Sequence, residues 1–293
     1  MVVRMLIYEI PDSWSIEGYL DSKCWDGGTG LERLKKAGFD YQIGKNLDGI
    51  ELAKNGYCLS GSENSIFIGW EPPLIIPDIY NNKKKWKGKL YTSIQNDGLH
   101  ITTPNSLQYD NLVSQEKTKE SCMVISNKRK SGNNSIYDLR QNIVNEGERS
   151  GGFHLYGMGW STSPSYQGQI DWDRSRQREL WRPKVQKMSE YRFAFVTENS
   201  RVPGYVTEKI INALVARCIP IYLGAPNITD YVPRTCFLDL DKLGVQEAFK
   251  RIKEMTFDEY EERIAAIEDF ITTDKSYYLS SYYLADRIMK IIK

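Results

Sequence analysis

The strongest constraint on the fold is an abrupt change of pattern in the second half of the chain. Residues 191–196 form an apolar run of strand length, and residues 210–216 carry apolar side chains at helical spacing. Residues 198–209, between them, are polar and basic. This succession predicts a strand, a loop and the start of a helix. Open α/β sheets bind ligands where such loops leave the carboxyl ends of strands.

The loop has the chemistry of an anion site. The free amides of a first helical turn and the helix dipole favour an anion, and Lys209 would add a full positive charge. Glu208 could hold hydroxyl groups, as an acidic residue holds a ribose. We predict a nucleotide site. The alternative is a solvated first turn at Glu208 and Lys209, with Asn199 or Ser200 closing the loop.

Three short segments in this region resemble the signature of the α1,3/4-fucosyltransferase family. The resemblance is clear over roughly residues 185–245 and extends more thinly back to about residue 65. Thr197 stands where the family usually has Phe. The segments are Glu198-Asn199-Ser200, Tyr205-Val206-Thr207-Glu208-Lys209 and Ile219-Pro220-Ile221-Tyr222-Leu223-Gly224.

The resemblance implies an α/β fold of the GT-B type, with two Rossmann-like doubly wound domains facing a central cleft. It also implies inversion of the anomeric centre without a bound metal, and a nucleotide-sugar donor, usually GDP-fucose, with no other cofactor. The family's ribose and diphosphate contacts fall on Asn199, Tyr205, Glu208 and Lys209. The complete set of expected donor-binding residues is Glu198, Asn199, Ser200, Tyr205, Val206, Thr207, Glu208 and Lys209.

Glu71 is the candidate catalytic base. It follows the apolar run at residues 66–68, and two prolines after it forbid continuation of the strand. Trp70 beside it would desolvate the carboxylate and raise its pKa. The family has its proposed base in a comparable strand-end segment. The alternative is a solvent-facing glutamate. The candidate acceptor contacts are Trp25, Trp70 and Trp86.

One departure from the family concerns the donor phosphate. The Arg that the family places four residues before a helix tyrosine aligns with Asn133. Lys128, Arg129 and Lys130 lie a few residues earlier and are possible phosphate contacts. Because Arg binds diphosphate through a planar fork and Lys does not, the replacement leaves the donor identity open.

The length of 293 residues predicts two domains. We expect an amino-terminal, acceptor-side α/β domain at 1–115, a nucleotide-sugar-binding domain at 121–275 and a carboxyl-terminal helix at 276–293. Residues 110–120 are polar and are predicted to be a linker. The last helix is amphipathic, which favours packing back on the protein; the alternative is binding at a membrane surface.

Composition excludes several classes of protein. The 39 basic and 38 acidic residues nearly cancel, so overall charge does not indicate a nucleic-acid or membrane partner. We find no apolar window of membrane-spanning length and no signal-peptide pattern, and therefore expect a cytoplasmic protein. Five widely spaced cysteines predict reduced core residues. The two aspartates of the triplet Asp171-Trp172-Asp173 could bind a divalent metal, but we interpret the triplet as part of an incidental loop.

Three functions follow, in order of preference. The first is transfer of L-fucose from GDP-fucose to a saccharide hydroxyl, with Glu71 as base. The second is transfer of a pentose such as arabinose from a UDP donor to a hydroxylated base of modified, phage-type DNA. Asn133 and the basic clusters around Trp86 and Lys128 motivate that alternative. The third is a non-catalytic nucleotide-sugar or glycan binder, since fold does not fix function.

Overall fold

The computed structural model of the protein describes most of the second half of the chain and shorter parts of the first half. The described residues are 4–9, 36–44, 50–54, 65–68, 89–91, 100–101, 116–127, 136–170, 182–279 and the single positions 283, 286, 289 and 290.

The first half contains a five-stranded parallel sheet. Its strand order is β2-β1-β3-β4-β5, and each strand runs parallel to its neighbours. The strand predicted near residue 66 is confirmed as β4. The strands are β1 (Arg4–Glu9), β2 (Phe39–Gly44), β3 (Ile50–Lys54), β4 (Ser65–Ile68) and β5 (Lys89–Tyr91), followed by the two-residue strand β6 (His100–Ile101).

The second half contains another five-stranded parallel sheet, with the order β12-β11-β9-β7-β8. Its strands are β7 (Lys119–Val124), β8 (Phe153–Tyr156), β9 (Tyr191–Thr197), β11 (Ile219–Leu223) and β12 (Leu238–Asp239). The short strand β10 (Tyr205–Val206) lies outside this sheet and pairs in parallel with β6. This pair joins the two halves of the chain directly before the predicted helix start.

Both sheets have the same topology. When strands are counted from the start of each sheet, each has the order 2-1-3-4-5. In this order the first and third strands are adjacent, and the connections leave them in opposite directions. The switch points are therefore β1/β3 in the first sheet and β7/β9 in the second. A ligand crevice is expected at the carboxyl ends of each pair.

Helices connect and cover the second sheet. Helix α1 connects β7 to β8, α2 precedes β9, and α3 connects β9 to β11 by way of the loop and β10. The helices are α1 (Tyr137–Ser150), α2 (Arg182–Met188), α3 (Glu208–Val215), α4 (Leu240–Leu243), α5 (Val245–Glu254) and α6 (Phe257–Thr272), with 3-10 turns at Ile228–Asp230, Arg234–Cys236 and Asp274–Leu279. Every residue of β11 is buried, as expected for a parallel strand covered on both faces.

Three phenylalanines lie at the centre of the core beneath this sheet. The rings of Phe195 and Phe249 are stacked with centroids 4.4 Å apart. Phe153 meets both rings edge-on, at 5.8 Å and 5.7 Å. The cluster ties β8, β9 and α5 together. Truncating one such buried ring to Ala typically costs about 3–5 kcal/mol.

Several sequence predictions are confirmed, and one boundary differs. The strand predicted at 191–196 is β9, and the helix predicted at 210–216 is α3. Strand β7 begins at Lys119, inside the segment at 110–120 that was predicted to be a linker. The reason is polar anchoring, because Lys117 Nζ donates to Ser189 O at 3.0 Å and to Ala216 O at 2.9 Å.

The end of the chain packs on the protein at its described positions. Tyr283 is partly buried and contacts the core. The Tyr277 hydroxyl donates to Asp286 Oδ2 at 2.5 Å, and its ring meets that of Tyr283 edge-on at 5.6 Å. Within the described ranges, no helix is long and apolar enough to cross a bilayer.

The described cysteines match the prediction for reduced core residues. Cys122, Cys218 and Cys236 are buried free thiols. Burial raises the pKa of Cys236 to about 11, so that thiol stays protonated at neutral pH. Cys24 and Cys58 lie outside the described residues.

Candidate functional site

A small cleft lies at the switch point of the second sheet. Its floor is formed by the carboxyl ends of β7 and β9, and its walls by α2 and α3. Two lysines, Lys184 from α2 and Lys209 from α3, line it. The complete lining is Val124, Ile125, Lys184, Met188, Phe195, Val196, Thr197, Lys209 and Asn212. Sheet topology alone predicts a crevice at this place.

A buried carboxylate organises the loop between β9 and α3. Glu198 is fully buried, and its Oε1 accepts from the Thr207 amide at 2.8 Å. Its Oε2 accepts from Thr207 Oγ1 at 2.6 Å and from Lys209 Nζ at 3.1 Å. Lys209 Nζ also lies 2.9 Å from Thr207 Oγ1. Glu198 therefore holds the end of the strand against the start of the helix.

Lys209 carries the positive charge of this network, and its Nζ lies 3.1 Å from Glu198 Oε2 and 4.0 Å from Glu208 Oε1. Desolvation raises the pKa of Glu198, and the charge of Lys209 and the hydrogen bonds from Thr207 oppose that rise. The Lys209 side chain keeps 21% of its surface exposed, whereas Glu198 has none. A buried carboxylate needs such a partner, because an unpaired buried charge is very costly. The partly exposed member of the pair is thus the lysine side chain.

Helix α3 begins beside this charge. Thr207 is its N-cap, and the Thr207 side chain accepts from the Lys209 amide at 3.4 Å. The residues from Ile210 to Val215 are all buried, which fixes the helix on the sheet. The amides of a first helical turn and the positive end of the dipole favour an anion. The positive end of the helix dipole and the charge of Lys209 therefore lie at the same end of the cleft.

Glycines make close packing around the loop possible. A Cβ at Gly224 would lie 2.4 Å from Glu198 Cγ and 2.3 Å from the Tyr222 hydroxyl. Gly204 has φ of +76°, a conformation that favours glycine, and its amide donates to Asn227 Oδ1 at 2.8 Å. Gly224, which ends the family-like segment at 219–224, therefore cannot carry a side chain without displacing Glu198.

An arginine that the sequence analysis did not single out lies under the same loop. Arg140 of α1 is 2% exposed. Its Nε donates to Thr197 Oγ1 at 2.9 Å, and its Nη2 donates to Glu198 O at 2.8 Å and Asn199 Oδ1 at 3.1 Å. The guanidinium also lies 4.5 Å from the ring centroid of Tyr137. In the sequence, the feature that could have identified Arg140 is its helical spacing from an apolar residue, because it lies three residues before Ile143.

The predicted donor-binding residues lie together in one loop and helix start, but they differ in exposure. Asn199, Glu208 and Lys209 are partly exposed. The others are buried in this structure, and Glu198 differs most from the expectation of a direct donor contact, because its carboxylate is fully used within the protein. The buried members are Glu198, Ser200, Tyr205, Val206 and Thr207.

Several predicted site residues cannot be compared with the structure. The candidate base, acceptor contacts, phosphate contacts and the position aligned with the family Arg all lie outside the described residues. These are Glu71, Trp25, Trp70, Trp86, Lys128, Arg129, Lys130 and Asn133. Among the residues that are described, no group of three or more His, Cys, Asp or Glu side chains could hold a metal ion.

Comparisons with known proteins agree with this architecture. The chain is similar to an α-(1,4)-fucosyltransferase of Arabidopsis thaliana, with 42% identity over 69 residues, which is 23% of this chain but only 17% of that protein. The fold resembles a crystal structure of an α1,3-fucosyltransferase with GDP, at a TM-score of 0.56 and 16% identity over 99% of this chain and 90% of the other. It also resembles a DNA-modifying β-glucosyltransferase, at a TM-score of 0.61 and 10% identity over 99% of each chain.

The structural likenesses, at such low identity, concern the fold alone and confirm the predicted GT-B type. The family follows from the sequence of the second half. The model for the carboxyl-terminal part of glycosyltransferase family 10 (fucosyltransferase) matches residues 114–263, which is more than half of the 293 residues. This match includes β7, the loop after β9 and the whole of α3. The chain belongs to glycosyltransferase family 10, the fucosyltransferases.

Proposed function

We propose that the protein is an inverting glycosyltransferase that transfers L-fucose from GDP-fucose to a hydroxyl group of a saccharide. The observation that carries the proposal is the partly exposed Lys209, held at the start of α3 by the buried Glu198 in the switch-point cleft. Family membership supports a nucleotide-sugar donor. The fucosyltransferase of similar fold was crystallised with GDP.

The diphosphate of the donor would lie between the two lysines of the cleft. Lys184 and Lys209 line the cleft from α2 and α3, and the positive end of the α3 dipole lies beside Lys209. As the bond between the sugar and the diphosphate breaks, negative charge accumulates on the leaving group. Donors already in place stabilise that charge without reorganisation. Lys184 is our candidate for the second cation that the family Arg, aligned with Asn133, would otherwise supply.

Glu198 and Glu71 would have separate roles. Glu198 accepts hydrogen bonds from Thr207 and Lys209 and has no exposed surface, so it acts as a positioning residue for Lys209. Glu71 remains the predicted base. In a single displacement it would take the proton of the acceptor hydroxyl while the acceptor oxygen bonds to the anomeric carbon and the diphosphate departs.

Calorimetric titration with GDP, UDP, GDP-fucose and UDP-pentoses tests the donor assignment. We expect selective binding of the guanine nucleotides, weakened about tenfold or more in Lys209→Ala, because a hydrogen bond to a charged group contributes about 1.5–3 kcal/mol. Lys250→Ala, an exposed change of the same charge on α5, is the control and should bind normally. Selective uridine binding would overturn the donor and favour the modified-DNA acceptor.

A second experiment separates an enzyme from a binding protein. In Glu71→Gln, transfer to the acceptor should fall at least about hundredfold, the usual contribution of a general base. Donor affinity should be retained, because a base for the acceptor hydroxyl is needed for transfer and not for binding of the diphosphate. If the wild-type protein binds GDP-fucose but neither hydrolyses nor transfers the sugar to any saccharide tested, the non-catalytic alternative is preferred.

A further inference from the structure

We infer that Arg140 is a positioning residue that locks the side-chain amide of Asn199, so that Asn199 presents N–H groups and not its oxygen to the bound nucleotide sugar. The inference rests on the proposed function, because it assigns a role in donor binding. The structural basis is a set of hydrogen bonds between α1 and the loop after β9.

The orientation of Asn199 follows from what surrounds it. Arg140 Nη2 is a donor without acceptor capacity and lies 3.1 Å from Asn199 Oδ1. The amide oxygen must therefore face the guanidinium, since a flipped amide would bring N–H groups against N–H groups. The Nδ2 group faces away and lies 3.4 Å from the Tyr205 hydroxyl. Asn199 is partly exposed, so its second N–H can donate to an oxygen of the donor.

The same guanidinium fixes the backbone of the loop. Its Nη2 donates to Glu198 O at 2.8 Å and lies 3.4 Å from Thr197 O. Glu198 in turn holds Thr207 and Lys209 through its side chain. One buried arginine thereby sets the position of both the Asn199 amide and the Lys209 ammonium. Movement of Arg140 would displace two groups proposed to contact the donor.

Thr197 explains why an arginine is accommodated here. It is the last residue of β9, is fully buried, and accepts from Arg140 Nε at 2.9 Å. Thr197 stands where the family usually has Phe, whose side chain accepts no such bond. The departure from the family pattern therefore supplies a hydrogen-bond acceptor to the guanidinium. We infer that Thr197 and Arg140 form one unit in this chain.

Burial argues for a positioning role over a purely structural one. In the described part of the chain, the hydrogen-bond acceptors of Arg140 are carbonyl, hydroxyl and amide oxygens, and the charge of Glu198 acts on the guanidinium without a direct side-chain bond. Burial lowers its pKa, although arginine remains charged. Apolar residues of similar volume are often neutral or stabilising replacements for buried charged groups. A buried cation directed at a donor-binding loop is therefore better explained by what it orients.

Asn199→Asp is the decisive variant. Aspartate keeps an oxygen opposite Arg140 and strengthens that contact into an ion pair, but it removes the N–H groups. We expect an unchanged or higher Tm together with an affinity for GDP-fucose that is about tenfold lower or worse. If Asn199 has only a structural role, the variant should be equally stable and should keep its full affinity for GDP-fucose.

Arg140→Met and Thr197→Val test the positioning residues themselves. Both variants should raise the Kd for GDP-fucose and the KM for the donor, because the Asn199 amide can then rotate. We expect an increase of about tenfold for Arg140→Met and a severalfold increase for Thr197→Val. Arg149→Met, an exposed change on the same helix, is the control. If Arg140→Met does not fold, Thr197→Val and Asn199→Asp still decide the question.

The outcomes separate this inference from the proposed function. A wild-type protein that does not bind GDP-fucose would overturn the donor assignment, and with it this role of Asn199. A wild-type protein that binds GDP-fucose, with Asn199→Asp and Thr197→Val binding equally well, would overturn only the positioning role. Loss of affinity in both variants at unchanged Tm would establish it.

Discussion

Glu198 Oε2 lies 3.1 Å from Lys209 Nζ, and the two charges differ sharply in exposure. The glutamate is fully buried, while the lysine side chain keeps 21% of its surface exposed in the cleft. Buried ion pairs often contribute little net stability, because desolvation offsets the attraction. The pair therefore fixes the Lys209 ammonium group beside the buried carboxylate, while part of the lysine side chain stays exposed.

The buried carboxylate predicts an unusual pH dependence of stability. Desolvation raises the pKa of Glu198 above its ordinary value, so the folded state binds its proton more readily than the unfolded chain does. The free energy of unfolding therefore falls as pH rises from the ordinary carboxyl range through the raised pKa. In Glu198→Gln the free energy of unfolding should not fall in this way, because glutamine does not titrate. Urea unfolding of both proteins across the acid-to-neutral range measures it.

Glu247→Gln, at an exposed position on α5, is the control for removal of one carboxylate. It should follow the wild-type pH profile. If Glu198→Gln also follows that profile, the carboxylate titrates normally in the folded protein, and the contribution of burial has been offset by Lys209 and Thr207.

A second prediction concerns the coupling of the pair. Lys209→Ala removes the only ammonium group bonded to Glu198 in the described part of the chain, and should lower the free energy of unfolding by about 2–4 kcal/mol at neutral pH. The value is below that for a fully enclosed pair because Lys209 is partly exposed. Glu198→Gln in the same chain should restore most of this stability. Simple additivity of the two changes in chemical denaturation would contradict the coupling.

The double variant should not regain donor affinity. The positive charge of Lys209 is still missing from the double variant. Titration with GDP should therefore give the same weak binding as Lys209→Ala alone. Recovery of affinity in the double variant would show that Lys209 acts only by supporting the fold, and that another group binds the diphosphate.

The sequence predicted the strand, loop and helix of this site because their signals are local. The apolar run of β9 and the helical spacing of α3 lie within 26 residues of each other, at 191–216. Their order also carries the family resemblance. Sheet order is less local, and the doubly wound sheets were expected from the family resemblance.

The supporting contacts could not be predicted in the same way. Arg140 meets the loop from 57–59 residues away, and a lone arginine on a helix is usually exposed. Glu198 was expected to be a donor contact because it belongs to the family-like segment at 198–200, but its carboxylate is fully buried. The start of β7 was missed because Lys119 is polar, but its ammonium group bonds to Glu190 Oε2 at 2.6 Å. The contacts of Arg140 and Lys119 depend on partners distant in sequence, whereas Glu198 bonds to Thr207 and Lys209 at the end of its own loop.

The third prediction tests close packing at Gly224. A Cβ there would lie 2.4 Å from Glu198 Cγ, so Gly224→Ala must displace the carboxylate and, with it, Lys209. We expect a loss of about 1–3 kcal/mol in the free energy of unfolding and weaker GDP binding. The comparison is Gly168→Ala, where a Cβ meets nothing within 4 Å but φ is +112°. That change should cost stability through backbone strain alone and leave affinity intact.

The last prediction concerns Ser200, which belongs to the family-like segment. Its hydroxyl is buried and has no hydrogen-bond partner among the described residues, a state that costs about 1–3 kcal/mol. Ser200→Ala should therefore leave the ligand-free protein equally or more stable. If the bound donor satisfies this hydroxyl, the variant should also gain less stability from added GDP than the wild type does. Urea unfolding with and without GDP measures both effects.

Ser189→Ala is the matched control, because Ser189 is equally buried but its Oγ donates to Gln186 O at 2.7 Å. Loss of this hydrogen bond should lower the free energy of unfolding by about 1 kcal/mol. The stabilisation gained from added GDP should be the same as in the wild type. Opposite signs for the two serines in the absence of ligand would show that Ser200 is held in an unfavourable state in the free protein. Equal destabilisation would mean that the Ser200 hydroxyl already has a partner, and its role at the donor would then fall.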